Sequence, residues 1–201
     1  AMGVVHADYG TFSNAHSGLG VWAWMALHTV TANTLRPGGL YHHRGVVDLQ
    51  PVFEKLPTDG APRTRVLDTP LLLMQGPDAA LADEILVPGE GRVRGLICVD
   101  ADPVDSIPDS ARTREALASL DLLVCLARQP SETTAHAHWV LPLAHPWERS
   151  DLQLTDHRLL PRTMLRWTPA LVEPAGEARS EQQILGDLLS SMSLAGKGSA
   201  W

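Results

Sequence analysis

The sequence predicts an α/β domain in three layers, with a mainly parallel sheet held between helices. Three observations carry this. The runs Val93–Val99 and Leu122–Leu126 are apolar over strand length, the first broken only by Arg94 and Gly95. Short runs apolar on both faces suit strands of a parallel sheet covered by helices. Between them, Asp109 stands where it can cap a helix carrying Ala116, Leu117 and Leu120 on one face, and such crossovers are almost always right-handed. Each run ends in a polar turn, Asp100-Ala101-Asp102-Pro103 and Arg128-Gln129-Pro130-Ser131. Ligands of open α/β sheets bind beyond the carboxyl ends of the strands, so a site is expected at these two turns.

The other elements follow in chain order. Val4-Val5 starts a short strand leading into a polar loop from Gly10 to Gly18. Leu19–Val30 is helical and apolar nearly all round, which predicts burial between layers. Residues 48–70 are Pro-rich and mixed, an irregular surface excursion. Pro77 and Asp78 open a helix through Leu86. Ser131–His136 begins with good N-cap residues and a first-turn carboxylate, and its free N–H groups would favour an anion. Trp139–Pro142 is a third short strand, and Ser180–Met192 a last helix with Ile184, Leu185, Leu188 and Leu189 on its buried side. Residues 1–194 thus read as one α/β domain, and 195–201 as a flexible tail.

The chain has 201 residues and a formal net charge of −7, without a dense Lys/Arg cluster. That argues against nucleic acid and anionic membrane as main partners. The apolar stretch Leu19–Leu27 is too short to span a bilayer, and no charged region precedes it, so a cytoplasmic setting is expected. Cys98 and Cys125 each fall inside a predicted strand and read as small core hydrophobes. Neither His42-His43 nor His136 with His138 has the company a metal site needs. Ala1-Met2 reads as a cloning remnant, which would make the chain a piece of something longer.

Several motifs in order then resemble a known family. These are VRGLICVDADPVDSIPD, ALASLDLLVCLARQPSETTAHAHWVLP, WER from Trp147, Arg158, and VEPAGEARSEQQIL, preceded by Arg36-Pro37-Gly38-Gly39. They resemble the molybdopterin oxidoreductase family, which includes formate dehydrogenases, periplasmic nitrate reductases and dimethyl sulfoxide reductase relatives. The resemblance implies a fold like domains 1 to 3 of formate dehydrogenase and dimethyl sulfoxide reductase. It implies one side of a cleft for molybdopterin guanine dinucleotide, the form in which the family usually holds molybdenum or tungsten. By similarity, Ser13 and Asn14 face the cofactor from the first loop. Asp102 stands where the family usually has Asn, Ser131 and Thr133 lie in the turn after the next strand, and Glu148 and Arg158 hold the loop at the cofactor edge.

The departures shape the functional expectation. Leu126-Ala127 replaces a usual Gln-Asp, His138 a usual Asp, and Ala32 a usual Gly. The family's amino-terminal cysteine cluster, its protein ligand to the metal and its carboxyl-terminal barrel have no counterpart in these 201 residues. The expectation is a part of a molybdopterin enzyme that binds no metal and is inactive alone. Its partners would be the enzyme's remaining domains or subunits, and an exposed apolar patch would favour a homodimer in isolation. The alternative is a structural or interaction domain that kept the fold and lost the cofactor, as in the large iron–sulfur subunit of respiratory complex I.

Overall fold

A computed structural model describes residues 16–36, 39, 46–48, 51, 55, 60–71, 75–153 and 164–195. The expected strand at Val4-Val5, the loop bearing Ser13 and Asn14, His42-His43, Arg158 and residues 196–201 lie outside these. Contacts gather the chain into two compact units, Ala1–Leu49 with Leu152–Trp167, and Gln50–Asp151 with Thr168–Trp201.

The described part of the first unit centres on helix α1, Ser17–Val30. Burial of this helix was expected, but Leu19, Trp22 and Val30 are exposed and only His28 is buried. A helix apolar all round needs cover all round. Among the described residues, its unit offers besides only most of β4 (Asp151–Gln153) and β5 (Arg166–Thr168), a two-stranded sheet whose outer ends, Asp151 and Thr168, fall in the second unit.

The second unit holds the parallel sheet. After a 3-10 turn at Asp78–Ala80 come α2 (Leu81–Leu86), β1 (Gly95–Val99), α3 (Pro103–Ser106), α4 (Ser110–Ala118) and β2 (Leu122–Ala127). Then come α5 (Glu132–Ala135), β3 (Trp139–Pro142) and a 3-10 turn at Pro146–Glu148 and, after the excursion of β4 and β5 into the first unit, α6 (Glu181–Ala195). The sheet order is β1-β2-β3, and both pairings are parallel, with Cys98 opposite Cys125 and Leu126 opposite Leu141. The predicted parallel, adjacent pair is therefore present. Of the two strands only β2 has a neighbour on both sides among the described residues; β1 stands at the margin.

Local chemistry sets the elements. Asp109, in the left-handed region at φ 61°, caps α4 by accepting the Arg112 N–H at 3.1 Å. Pro103 opens α3, where its missing N–H costs nothing. The stretch 60–71, expected to be irregular, is pinned to α2. Arg65 donates to the Val87 carbonyl at 2.7 Å, and Val66 N–H to Glu84 Oε1 at 2.9 Å.

The pleat separates two cores. On one face Cys98, Leu123 and Cys125 pack with Ile85, Val104, Ala116 and Leu117, from α2, α3 and α4. On the other, Leu126 packs with Leu143 and Ile184 of α6. Helices thus cover both sides of the sheet, as the three-layer expectation requires. Full burial of a side chain such as Leu117 or Leu123 stabilises by about 1.5–3 kcal/mol. Cover on the second face is partial. Ile97 (50 %) and Trp139 (66 %), both beside Val124 in the register, are exposed, as are Val99 and Leu122.

Candidate functional site at the strand ends

The carboxyl ends of the three strands meet around a cavity of about 360 Å³ lined by Asp100, Ala101, Asp102, Ala127, Arg128, Gln129, Ser131 and His145. Two other cavities, of about 520 and 440 Å³, are larger. One is mostly apolar beside Ile184, and in the other Arg63 and Arg65 are committed to Asp68 and Glu84. Of these three, the strand-end crevice is the one lined by the turns after both β1 and β2, where open sheets bind ligands.

Its floor is built by three ties between the turns after β1 and β2. Asp100 N–H donates to the Leu126 carbonyl at 2.9 Å, extending the ladder by one bond. Arg128 Nε donates to Asp100 Oδ1 at 2.8 Å. Thr133 Oγ1 donates to Asp102 Oδ1 and accepts the Val104 N–H at 3.2 Å. Asp100 holds a left-handed backbone at φ 49°, which turns the chain sharply out of β1.

Asp102 is the electrostatic centre. Burial pushes its carboxyl upward, but donors outweigh that and hold it below its ordinary value. They are the hydroxyls of Thr133 and Ser131 and the backbone N–H groups of Thr133 and Asp105. This corrects the expectation that the helix after Ser131 offers free N–H groups to a ligand. α5 is a single turn, Ser131 Oγ takes the Thr134 N–H, and the Asp102 carboxylate takes the Thr133 N–H. The anion at that helix start is the protein's own.

The candidate residues separate accordingly. Asp102, Ser131 and Thr133 converge, but Thr133 is fully buried and its hydroxyl is spent on Asp102 and Val104, while Ser131 caps α5. Glu148 does not line the cavity. Its Oε2 accepts the His145 N–H at 2.9 Å and its Oε1 the Ala175 N–H at 3.3 Å, so it clamps the loop after β3. Arg149 pairs with Glu181 instead of Glu148. Ser13, Asn14 and Arg158 lie outside the described residues. Sequence reasoning did not single out Arg128, Gln129 or His145. The first two stand in a turn it had marked, and His145 lies just beyond β3, where the same strand-end argument applies.

Below the crevice, Cys98 and Cys125 are buried free thiols. Burial, then the neighbouring Cys125 and Asp102, push Cys98 up to about 12, and burial raises Cys125 as well. Among the described residues, no cluster of three or more His, Cys, Asp and Glu could hold a metal ion, and no helix is long and apolar enough to cross a membrane.

Comparison with known proteins places the fold and the family. Acetylene hydratase from Pelobacter acetylenicus superposes with a TM-score of 0.52 at 24 % identity, over 60 % of this chain and 16 % of that one. The NADPH-Fe(3+) oxidoreductase subunit alpha of Geobacter sulfurreducens is 33 % identical over 104 residues, 51 % of this chain and 12 % of that protein. A probable oxidoreductase of Bacillus subtilis, YyaE, is 24 % identical over 107 residues, 53 % of this chain and 16 % of that protein. The matches span about an eighth to a sixth of these relatives' length. The profile described as molybdopterin oxidoreductase matches residues 10–191, nearly the whole sequence, and the chain therefore belongs to the molybdopterin oxidoreductase family.

Proposed function

We propose that the chain is one domain of a larger molybdopterin-dependent oxidoreductase, forms one side of its molybdopterin guanine dinucleotide cleft, and is inactive alone. The observation that supports this best is the convergence of the turns after β1, β2 and β3 on one polar crevice, in a chain of this family. The donor and acceptor set suits the base and ribose edges of a nucleotide, through Gln129, Arg128, His145 and Asp100, with Asp102 fixing the turn they stand on. It suits a pyrophosphate poorly, because Asp100 and Asp102 face a single guanidinium. Ser13, Asn14 and Arg158 complete the proposed contact set. When bound in a complete enzyme of the family, the cofactor supplies the redox chemistry; this chain's residues bind and orient one end of it.

The small share of the relatives that the chain matches supports partners in the form of the enzyme's remaining domains or subunits. The apolar sheet face of Ile97, Val99, Leu122 and Trp139 is their docking surface, and in isolation it pairs two copies.

A second reading, a structural or interaction domain without cofactor, draws on Asp102, whose carboxylate is already saturated by protein donors. Calorimetry with guanosine diphosphate on the wild type and Thr133→Val decides between them. Weak binding that the variant reduces supports the cleft; no binding at millimolar ligand leaves the structural domain. Elemental analysis for molybdenum and tungsten on the isolated chain should give neither, and stoichiometric metal would overturn the proposed inactivity.

A further inference from the structure

His145 lines the crevice, and the function proposed so far counts it among the polar groups there without assigning any of its atoms a contact. Its ring is held firmly. Nδ1 accepts the Trp147 N–H at 3.3 Å, the residue's own N–H goes to Glu148 Oε2 at 2.9 Å, and the ring meets Trp147 edge-on at 5.3 Å between centroids. With Nδ1 fixed as an acceptor, the proton of the neutral imidazole sits on Nε2. That N–H is the hydrogen-bonding capacity the ring has left to offer a ligand.

The other groups of the crevice are largely committed. Asp102 is saturated by Thr133, Ser131 and Asp105 donors, and Asp100 takes Arg128 Nε. The donors left are His145 Nε2–H, the terminal N–H groups of Arg128 and the Gln129 amide. Two carboxylates against one guanidinium leave a net negative crevice, which opposes a phosphate. It accepts a carbonyl or hydroxyl oxygen readily.

We propose that His145 is a ligand-contacting residue of this crevice, donating its Nε2–H to an uncharged oxygen, carbonyl or hydroxyl, on the nucleoside end of the bound group. The proposal rests on the cofactor-cleft reading and names a contact within it. Glu148 is then a positioning residue that acts through His145.

The test uses the full chain, with guanosine and guanosine diphosphate as probes, titrated by calorimetry into wild type, His145→Phe and His145→Gln. Nitrogen-15 NMR of the imidazole follows the wild type. Guanosine should bind the wild type, and the diphosphate should bind no more tightly, because the net negative crevice opposes its phosphates. Phe should weaken both about tenfold, and Gln, which restores an N–H donor, should stay within about threefold of wild type. The wild-type Nε2–H signal should move on adding guanosine. Unchanged affinity in His145→Phe, or an Nε2–H signal indifferent to ligand, overturns the proposal while the cleft reading stands. Binding of the diphosphate without guanosine overturns the uncharged acceptor. If the wild type binds neither probe, the cleft reading itself fails and takes this contact with it. Should His145→Phe lose its fold, the wild-type NMR titration still decides.

Discussion

The Thr133 hydroxyl donates to Asp102 Oδ1 across thirty-one residues of sequence and at the same time accepts the Val104 N–H at 3.2 Å. One buried oxygen therefore fastens the turn after β1 to the helix after β2. Thr133→Val keeps the volume but leaves Val104 N–H and one lone pair of Asp102 without their partner. Stability should fall by about 1–3 kcal/mol, measured by urea unfolding, and guanosine diphosphate binding should weaken with it. A variant as stable as wild type would remove the tie from the account.

Asp102 gives a pH dependence. Its carboxyl is held below its ordinary value, so its contribution to stability is complete above the unfolded value of about 3.9 and is lost as pH falls through the lower folded value. Wild type should therefore lose stability on acidification below about pH 4. Asp102→Asn should be less stable near neutrality and lose less on acidification over that range. Parallel acid profiles for the two proteins would count against this assignment.

His138 Nδ1 accepts the Leu123 N–H at 2.9 Å, and the His138 N–H donates to the Leu123 carbonyl at 2.8 Å. The imidazole thus prolongs the β2–β3 ladder with a side-chain acceptor. His138→Ala should cost about 1–3 kcal/mol by stranding that N–H. His138→Asn places an oxygen near the same point and should recover most of the loss. Equal thermal midpoints for Ala and wild type would sink the idea.

Cys98 and Cys125 should resist alkylation in the native protein at pH 8. Both are buried, and Cys98 is pushed up to about 12, so little thiolate exists to react. Mass spectrometry after iodoacetamide should show no label without denaturant and two labels with it.

The exposed face of Ile97, Val99, Leu122 and Trp139 should make the isolated chain self-associate. Light scattering should show mass rising with concentration, and Trp139→Lys should hold the protein monomeric. A wild type that stays monomeric throughout would remove the docking role from this face.

Apolar run length and turn residues were enough to predict β1, β2 and the Asp109 cap, because those choices are local. The parallel adjacency of the two strands followed from the helix between them, since a strand–helix–strand crossover returns the chain beside its start. Two things were not legible. Ile97 and Cys98 look alike as apolar residues in one run, and only the packing of α2, α3 and α4 decides that Cys98 is covered while Ile97 is not. Ser131 and Thr133 read as hydroxyls near a crevice, but composition does not say whether a hydroxyl faces a ligand or a carboxylate from another turn. Here Asp102, distant in sequence, claims both. His145 was passed over because Pro142 marked the end of β3 without marking the turn beyond it as part of the site.

Asp100 turns the chain out of β1 at φ 49° while also holding Arg128. In a saturation library at this position the two demands select differently. Gly accepts the backbone freely but gives up the ion pair, and Asn tolerates the backbone and keeps a neutral acceptor. Glu keeps the charge on a longer arm but tolerates a left-handed backbone less well than Asp. Val and Ile fail on both counts. The ranking of survivors, Asp and Asn before Gly, and Gly before Glu and the β-branched residues, would measure how far the geometry of one turn limits the sequences this strand end can accept.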